Sequence, residues 1–153
     1  MIEIGQKAPK LNLLDETENY ISLNSFPDKN IVLYFYPKDD TPGCTKESIE
    51  FSQLKKEFEL NDTVILGASK DSIKKHQKFI KKHDLTIKLL VDEDGSLCEN
   101  YSVWKLKKFM GREYMGIERS TFLIDKNRII KNIWRKVSVK GHVEEVFEAV
   151  KLL

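Results

Sequence analysis

One uninterrupted apolar segment, Ile31–Tyr36, limits the folds open to this chain more than any other feature. Its six residues are β-branched, aromatic or leucine, and Pro37 follows directly. A strand with no polar side has to be buried on both faces, as it is in a sheet that helices cover on both sides. The segment therefore predicts a strand inside the sheet of an α/β domain.

Strand and helix patterns alternate through the first hundred residues. Leu11–Leu14 and Tyr20–Leu23 predict an N-terminal β-ribbon, and Val64–Ala68 and Leu89–Val91 predict two further buried strands. Apolar residues at helical spacing predict one helix from Cys44 to about Leu60. A second helix, capped by Asp71, is expected to bury Ile73, His76, Phe79 and Ile80.

The remaining patterns complete a mixed sheet. We expect a short helix at Ser96–Tyr101, a lysine-rich loop, a hairpin of Thr121–Ile124 with Ile129–Val137, and a final helix that buries Val143, Val146, Phe147 and Val150. Strands joined through helices are parallel, whereas a closing hairpin is antiparallel. The fold class predicted for residues 1–153 is one α/β domain with a central mixed β-sheet and helices on both faces.

Charge and cysteine content exclude several classes of function. The chain has 153 residues, and its 26 basic and 24 acidic side chains leave a net charge of only +2, so we expect no nucleic acid partner. No apolar run reaches the ~18 residues that a membrane span needs. Two cysteines, Cys44 and Cys98, are too few for a disulfide framework. We expect a cytoplasmic protein with reduced thiols.

The loop between the first buried strand and the following helix carries the clearest chemical signal. Cys44 follows Thr41-Pro42-Gly43, at the predicted start of a helix. Helix N-termini and nearby cations lower the pKa of a cysteine thiol from ~8.5 to ~3.5–7.5. Ligands of open α/β sheets also bind beyond the carboxyl ends of the strands. From these residues alone, Cys44 is either a reactive thiolate or an ordinary buried cysteine.

Other features have simpler interpretations. His76 and His83 are too far apart for a helical metal site, and no glycine-rich nucleotide loop is present, so we expect neither a metal nor a cofactor. Lysines on the second helix and at Lys105–Lys108 are interpreted mainly as solvated surface. We expect Trp104, Phe109 and Met110 to be core residues, with a pocket wall or a weak dimer contact as alternatives.

The sequence resembles the peroxiredoxins. Pro37, Thr41 and Cys44 match the Pro-x-x-x-Thr-x-x-Cys pattern of that family, and Tyr34–Thr45 resembles its bacterioferritin comigratory protein or peroxiredoxin Q branch. Gly116–Asp125 is similar to the segment that carries the family's active-site arginine. The resemblance implies a thioredoxin-like fold and a thiol peroxidase that reduces hydrogen peroxide and organic hydroperoxides without a cofactor.

The resemblance also implies a role for each matching residue. Cys44 would attack the peroxide and become a sulfenic acid, while Arg119 would keep the sulfur ionised and hold the peroxide. Thr41 would offer its hydroxyl to the sulfur and the peroxide, and Pro37 would wall the pocket. The amides of Gly43 and Cys44 would add hydrogen-bond donors.

The chain departs from many members of that branch because it has no resolving cysteine at the positions where those members carry one. The position five residues after Cys44 is Ile49, and the next helix contains no cysteine. We favour a one-cysteine mechanism in which thioredoxin, glutaredoxin or a small thiol reduces the sulfenic acid. Cys98 as an internal resolving cysteine and an intermolecular disulfide remain alternatives.

We expect a monomer or weak dimer. The rival function is that of a peroxide sensor or a thiol–disulfide exchange protein of the same fold.

Overall fold

The computed structural model describes residues 2–153. None of the helices in this range is long and apolar enough to cross a membrane. The strands are β1 (Asn12–Leu14), β2 (Tyr20–Ser22), β3 (Asn30–Phe35), β4 (Thr63–Ser69), β5 (Lys88–Val91), β6 (Trp104–Phe109), β7 (Arg112–Ile117), β8 (Ser120–Ile124) and β9 (Ile130–Trp134). The helices are α1 (Pro42–Gln53), α2 (Lys55–Leu60), α3 (Ile73–His83), α4 (Ser96–Asn100) and α5 (His142–Lys151), with a 3₁₀ turn at Leu23–Ser25.

Five strands form the central sheet, in the order β5-β4-β3-β8-β9. The pairs β3–β4 and β4–β5 are parallel, whereas β3–β8 and β8–β9 are antiparallel. The strand β3 lies in the middle, and all six of its residues are buried. The predicted mixed sheet is therefore confirmed, and so is the antiparallel N-terminal ribbon of β1 and β2.

Alternate side chains of β3 enter two separate cores. Ile31, Leu33 and Phe35 pack in the cluster that contains α4 residues and the N-terminal ribbon. Val32 and Tyr34 pack on the opposite face, in the cluster that contains residues of α1, α2, α3 and α5. This division follows from the two-residue period of a strand. Helices cover both faces, as expected.

Two local predictions for the helices are wrong. The expected single helix from Cys44 to Leu60 is interrupted at Leu54 (φ −97°, ψ 6°), after which α2 begins. The cap of α3 is Ser72, whose hydroxyl accepts a hydrogen bond from the Lys75 amide at 3.3 Å, and not Asp71. Asp71 points inward instead, because its carboxylate accepts hydrogen bonds from the Ser69 hydroxyl and a loop amide.

The expected lysine-rich loop is an antiparallel hairpin of β6 and β7. Met110 and Gly111 form its two-residue turn with φ of 50° and 79°, the positive values that tight hairpin turns require. The prediction that Phe109 and Met110 are core residues is also wrong, since they are 66% and 87% exposed. Only Trp104 packs against a core. The base of the hairpin packs against one core through Trp104 and Ile117, whereas Phe109 and Met110 lie at its tip, beyond that core.

Candidate active site

Cys44 lies in the first turn of α1, just beyond the carboxyl end of β3. Thr41 is the N-cap, and Pro42 occupies the first helical position, where its missing N–H costs no hydrogen bond. The amides of Gly43 and Cys44 belong to the first turn, where N–H groups have no acceptor within the helix. Cys44 is only 1% exposed. The predicted cysteine at a helix start is therefore present, and it is almost completely covered.

Arg119 reaches the sulfur from the neighbouring strand. The register of β3 and β8 pairs Phe35 with Ser120, which places Arg119 next to the loop that follows β3. Its Nη2 donates a hydrogen bond to Cys44 Sγ at 3.3 Å. A Cβ atom at Gly43 would lie 3.1 Å from the same Nη2, so glycine allows this close approach. The sheet thus brings together two residues that stand 75 positions apart.

Glu47 is a buried acid that sequence reasoning did not assign to the site. Its Oε1 accepts a hydrogen bond from Arg119 Nη1 at 2.7 Å, and the residue is 0% exposed. Burial raises the pKa of Glu47 to about 7, although the Arg119 charge opposes this shift. Glu47 follows Cys44 by three residues, and this spacing puts both side chains on one helix face. The sequence therefore contained a signal that could have assigned Glu47 to the site.

His142, at the start of α5, forms the back of this polar group. Its Nε2 lies 2.7 Å from the Thr121 hydroxyl and 3.9 Å from Glu47 Oε2. Burial, with a smaller contribution from the Arg119 charge, lowers the pKa of His142 to about 4. Burial opposes the charge of Arg119, but Glu47 and Cys44 raise the pKa of this guanidinium overall. The site therefore contains a permanent cation beside a neutral imidazole.

Thr41 is oriented differently from the sequence prediction. Its hydroxyl donates to the Lys38 carbonyl oxygen at 2.8 Å, so its proton is not directed to the sulfur. The lone pairs of that hydroxyl can accept a hydrogen bond from a ligand. Pro37 is half-buried and lines a cavity of about 440 Å³ together with Arg119. Four lysines also line this cavity: Lys105, Lys107, Lys108 and Lys136.

A buried network fixes the loop between Pro37 and Thr41. Asp39 accepts hydrogen bonds from the Tyr36 hydroxyl at 2.6 Å and from His76 Nδ1 at 2.7 Å, and its amide donates to Asp71 at 2.9 Å. His76 Nε2 donates to the Leu90 carbonyl oxygen at 2.8 Å. Burial opposes the charge on His76, but Asp39 raises the pKa of the imidazole above its ordinary value.

The same network bears on metal binding. Asp39, Asp71 and His76 bring three ligand-type atoms within 4.8 Å of one another. Both nitrogens of His76 nevertheless face oxygen acceptors, and an imidazole that donates from both nitrogens has no lone pair for a metal. The three side chains therefore fit a hydrogen-bonded network better than a metal site.

Cys98 lies on the other side of the central sheet from Cys44. It belongs to α4 and to the core cluster on the opposite face of the sheet from Cys44. Both cysteines are free thiols. Burial and, to a smaller extent, Asp92 raise the pKa of the Cys98 thiol well above its ordinary value. The sheet thus separates the two sulfur atoms.

Comparisons with known proteins agree with this arrangement. The model of the AhpC/TSA family matches residues 4–133. Peroxiredoxin Bcp of Bacillus subtilis is 55% identical over 98% of this chain and 96% of its own length, and peroxiredoxin Bcp of Escherichia coli is 35% identical over 98% and 96%.

Solved structures of peroxiredoxins of the same type are also similar to this chain. A cysteine-to-serine mutant of PrxQ from Xylella fastidiosa matches with a TM-score of 0.94 and 38% identity, covering 99% of this chain and 97% of that one. Xanthomonas campestris bacterioferritin comigratory protein, in a study of its alkyl peroxide reduction activity, matches with a TM-score of 0.88 and 39% identity over 93% and 90%. The chain belongs to the AhpC/TSA family and is a thioredoxin-fold peroxiredoxin of the Bcp and PrxQ type, an oxidoreductase with peroxidase function.

Proposed function

We propose that this protein reduces hydrogen peroxide and organic hydroperoxides to water and alcohols through a sulfenic acid on Cys44. The observation that carries the proposal is the 3.3 Å contact between Arg119 Nη2 and Cys44 Sγ. A guanidinium beside the sulfur favours the thiolate, which is the nucleophilic form. The alkyl peroxide reduction activity ascribed to the Xanthomonas relative supports organic hydroperoxides as substrates.

The chemical step uses few groups. The Cys44 thiolate attacks the terminal oxygen of the hydroperoxide, an S–O bond forms, and the O–O bond breaks. The sulfur is oxidised to a sulfenic acid, and the departing alkoxide takes a proton from water and leaves as an alcohol. Negative charge moves from sulfur to oxygen during this step. Arg119 and the free amides of the first turn of α1 would stabilise that charge throughout.

Three further residues have supporting roles in this proposal. Thr41 would accept a hydrogen bond from the peroxide O–H, since its own proton is used on the Lys38 carbonyl. Pro37 would wall the cavity beside Arg119 without competing as an N–H donor. Glu47 would act as a positioning residue, because its 2.7 Å bond to Nη1 fixes the second nitrogen of the guanidinium against the sulfur.

Recycling requires a thiol reductant, as in other peroxiredoxins. We infer a one-cysteine mechanism for two reasons. Ile49 occupies the position, five residues after Cys44, where many relatives carry a resolving cysteine, and Cys98 lies in the opposite core. An external thiol attacks the sulfenic sulfur, forms a mixed disulfide and releases water; a second thiol then releases the Cys44 thiol and an external disulfide. The reductant would be thioredoxin, glutaredoxin or a small thiol. The protein would work in a reducing cytoplasm.

Substitution of the two cysteines tests this proposal. Cys44→Ser should abolish peroxide consumption in the presence of thioredoxin or dithiothreitol, whereas Cys98→Ser should retain most of it. Both variants replace a buried thiol by a hydroxyl, so each is the control for the other. Peroxidase activity in Cys44→Ser would refute the proposal. A single slow oxidation of the wild type, without turnover, would instead favour a peroxide sensor.

A further inference from the structure

The hairpin of β6 and β7 packs against the core at its base, through Trp104 and Ile117, and is exposed toward its tip. Its two strands pair with each other along their whole length, from the pair of Trp104 with Ile117 to the pair of Phe109 with Arg112. Neither strand joins the five-stranded sheet. A two-stranded ribbon is at best marginally stable in water on its own. A projecting ribbon of this kind calls for an explanation beyond the needs of the central fold.

The hairpin concentrates exposed apolar side chains. Of the ten large hydrophobic residues that are exposed within residues 2–153, five lie on this hairpin: Leu106, Phe109, Met110, Tyr114 and Met115. Their exposed fractions range from 47% for Tyr114 to 87% for Met110. Leu106 pairs with Met115 across the strands, so part of this surface is continuous. Clustered exposed apolar residues mark contact sites for other molecules.

The same hairpin is strongly basic. It carries four basic side chains, Lys105, Lys107, Lys108 and Arg112, and one acidic side chain, Glu113. Lys108 pairs with Glu113 at 3.5 Å, so three positive charges have no carboxylate of the hairpin as a partner. A partner with an apolar centre and acidic residues around it would complement this surface.

The hairpin also borders the cavity that lies next to Arg119 and Pro37. Lys105, Leu106, Lys107 and Lys108 line the cavity of about 440 Å³ that Arg119 and Pro37 line from the other side. Lys107 Nζ donates to the Ile117 carbonyl oxygen at 3.0 Å, which fixes that wall. A molecule seated on the hairpin therefore faces the opening next to Arg119.

A second copy of this chain fits the hairpin less well. In a two-fold dimer the same surface meets itself, so two basic hairpins would face each other. Like charges in close contact oppose association. An acidic partner has no such penalty, and its position beside the cavity suits a protein that must exchange electrons with Cys44.

We propose that the β6–β7 hairpin is the docking surface for an acidic dithiol protein that reduces oxidised Cys44. The proposal rests on the peroxidase function proposed above. The apolar residues at and near the tip bury against the partner, and the basic residues select a negatively charged surface. Docking brings the partner's thiol to the Arg119 side of the cavity, where it attacks the Cys44 sulfenic sulfur and releases water.

The test measures the re-reduction step alone. Protein oxidised with one equivalent of hydrogen peroxide is mixed either with a thioredoxin of net negative charge or with dithiothreitol, a small uncharged dithiol. The ratio of the two second-order rate constants is compared between variants. Phe109→Ser/Met110→Ser and Arg112→Glu should each lower this ratio about tenfold, as loss of a central contact residue does at protein interfaces. Added salt should lower the wild-type ratio.

Matched controls lie elsewhere on the surface. Leu60→Ser removes an apolar side chain that is 85% exposed, and Lys74→Glu reverses an exposed charge on α3. Neither should change the ratio. Failure of peroxide to oxidise wild-type Cys44 would refute the proposed function before docking is measured.

Three outcomes would overturn the docking proposal alone. An unchanged ratio in both hairpin variants would show that the reductant does not use this surface. The hairpin would instead be a membrane-binding surface if the ratio is unchanged and anionic phospholipid vesicles bind the wild type but not Phe109→Ser/Met110→Ser. A dimer lost in that variant, again with an unchanged ratio, would assign it to self-association.

Discussion

At the scale of single residues, the active site depends on one guanidinium that donates hydrogen bonds to two side chains. Arg119 uses Nη1 for Glu47 and Nη2 for Cys44, at 2.7 and 3.3 Å. Lysine could not reproduce this arrangement, because its ammonium lacks the planar fork. The position of the guanidinium, and not only its charge, should therefore control reactivity.

Gly43→Ala tests that dependence on position. The added Cβ would lie 3.1 Å from Arg119 Nη2, so the guanidinium has to shift, and its contact with the sulfur changes. Gly43 is helical, and alanine favours a helix by about 1 kcal/mol, so stability should be kept. We expect slower oxidation of Cys44 by peroxide in stopped-flow experiments and a smaller thiolate absorbance in the ultraviolet. Wild-type rates would show that the sulfur does not need this contact.

The buried pair of Glu47 and His142 predicts opposite effects of pH on stability. The pKa of Glu47 is raised from 4.5 to about 7, so the folded state holds the proton more tightly, and stability falls by about 3 kcal/mol as pH rises through this window. The pKa of His142 is lowered from 6.5 to about 4, so the unfolded state holds that proton more tightly, and stability rises as pH rises from about 4 to 6.5.

Two single variants separate these contributions. Relative to wild type, the free energy of unfolding of Glu47→Gln should increase between pH 4.5 and 7, whereas that of His142→Asn should decrease between pH 4 and 6.5. Urea unfolding at several pH values measures both differences. Parallel curves for the wild type and either variant would contradict the corresponding assignment.

At the scale of elements, helix α3 holds the loop that precedes Cys44. The buried Asp39–His76 contact is one connection, and the exposed contacts of Asp40 with Lys82 and His83, at 2.7 and 2.8 Å, are another. Asp40 has φ of 59°, a left-handed conformation that favours glycine, and these contacts hold it there. The geometry around Cys44 thus depends on a helix that contributes no residue to the chemistry.

His76→Gln should weaken this connection strongly. Removal of one partner from a buried pair costs about 3–5 kcal/mol, whereas an exposed pair contributes about 1 kcal/mol or less. Denaturant unfolding should therefore show a large loss in His76→Gln and a small one in His83→Gln, its matched control. If folded His76→Gln oxidises Cys44 at the wild-type rate, the network stabilises the fold without positioning the loop.

At the scale of the whole molecule, the sheet separates the two cysteines. Cys44 belongs to the core that packs against α1, α2, α3 and α5, and Cys98 belongs to the other core. A disulfide needs Cα atoms within about 7 Å of each other. Formation of an internal disulfide would require α4 or the start of α1 to leave its place.

Mass spectrometry after one equivalent of peroxide tests this separation. We expect a sulfenic acid on Cys44, trapped by a sulfenic-acid reagent, and no disulfide linking Cys44 to Cys98. The reduced, untreated protein is the control for the starting mass. An internal disulfide at native conditions would refute the one-cysteine mechanism and require a large rearrangement of the two cores.

Periodicity in the sequence determined the strands of the central sheet and of the N-terminal ribbon, most helices and the place of Cys44, because burial on one or two faces leaves a local pattern along the chain. The Lys105–Lys108 region left no such pattern, since alternating lysines are as common on loops as on exposed strands. Only the tertiary structure decided the environment of the sulfur. Arg119 stands 75 residues from Cys44, and His76 stands 37 from Asp39. Such contacts depend on strand register and helix packing, which no short window of residues contains.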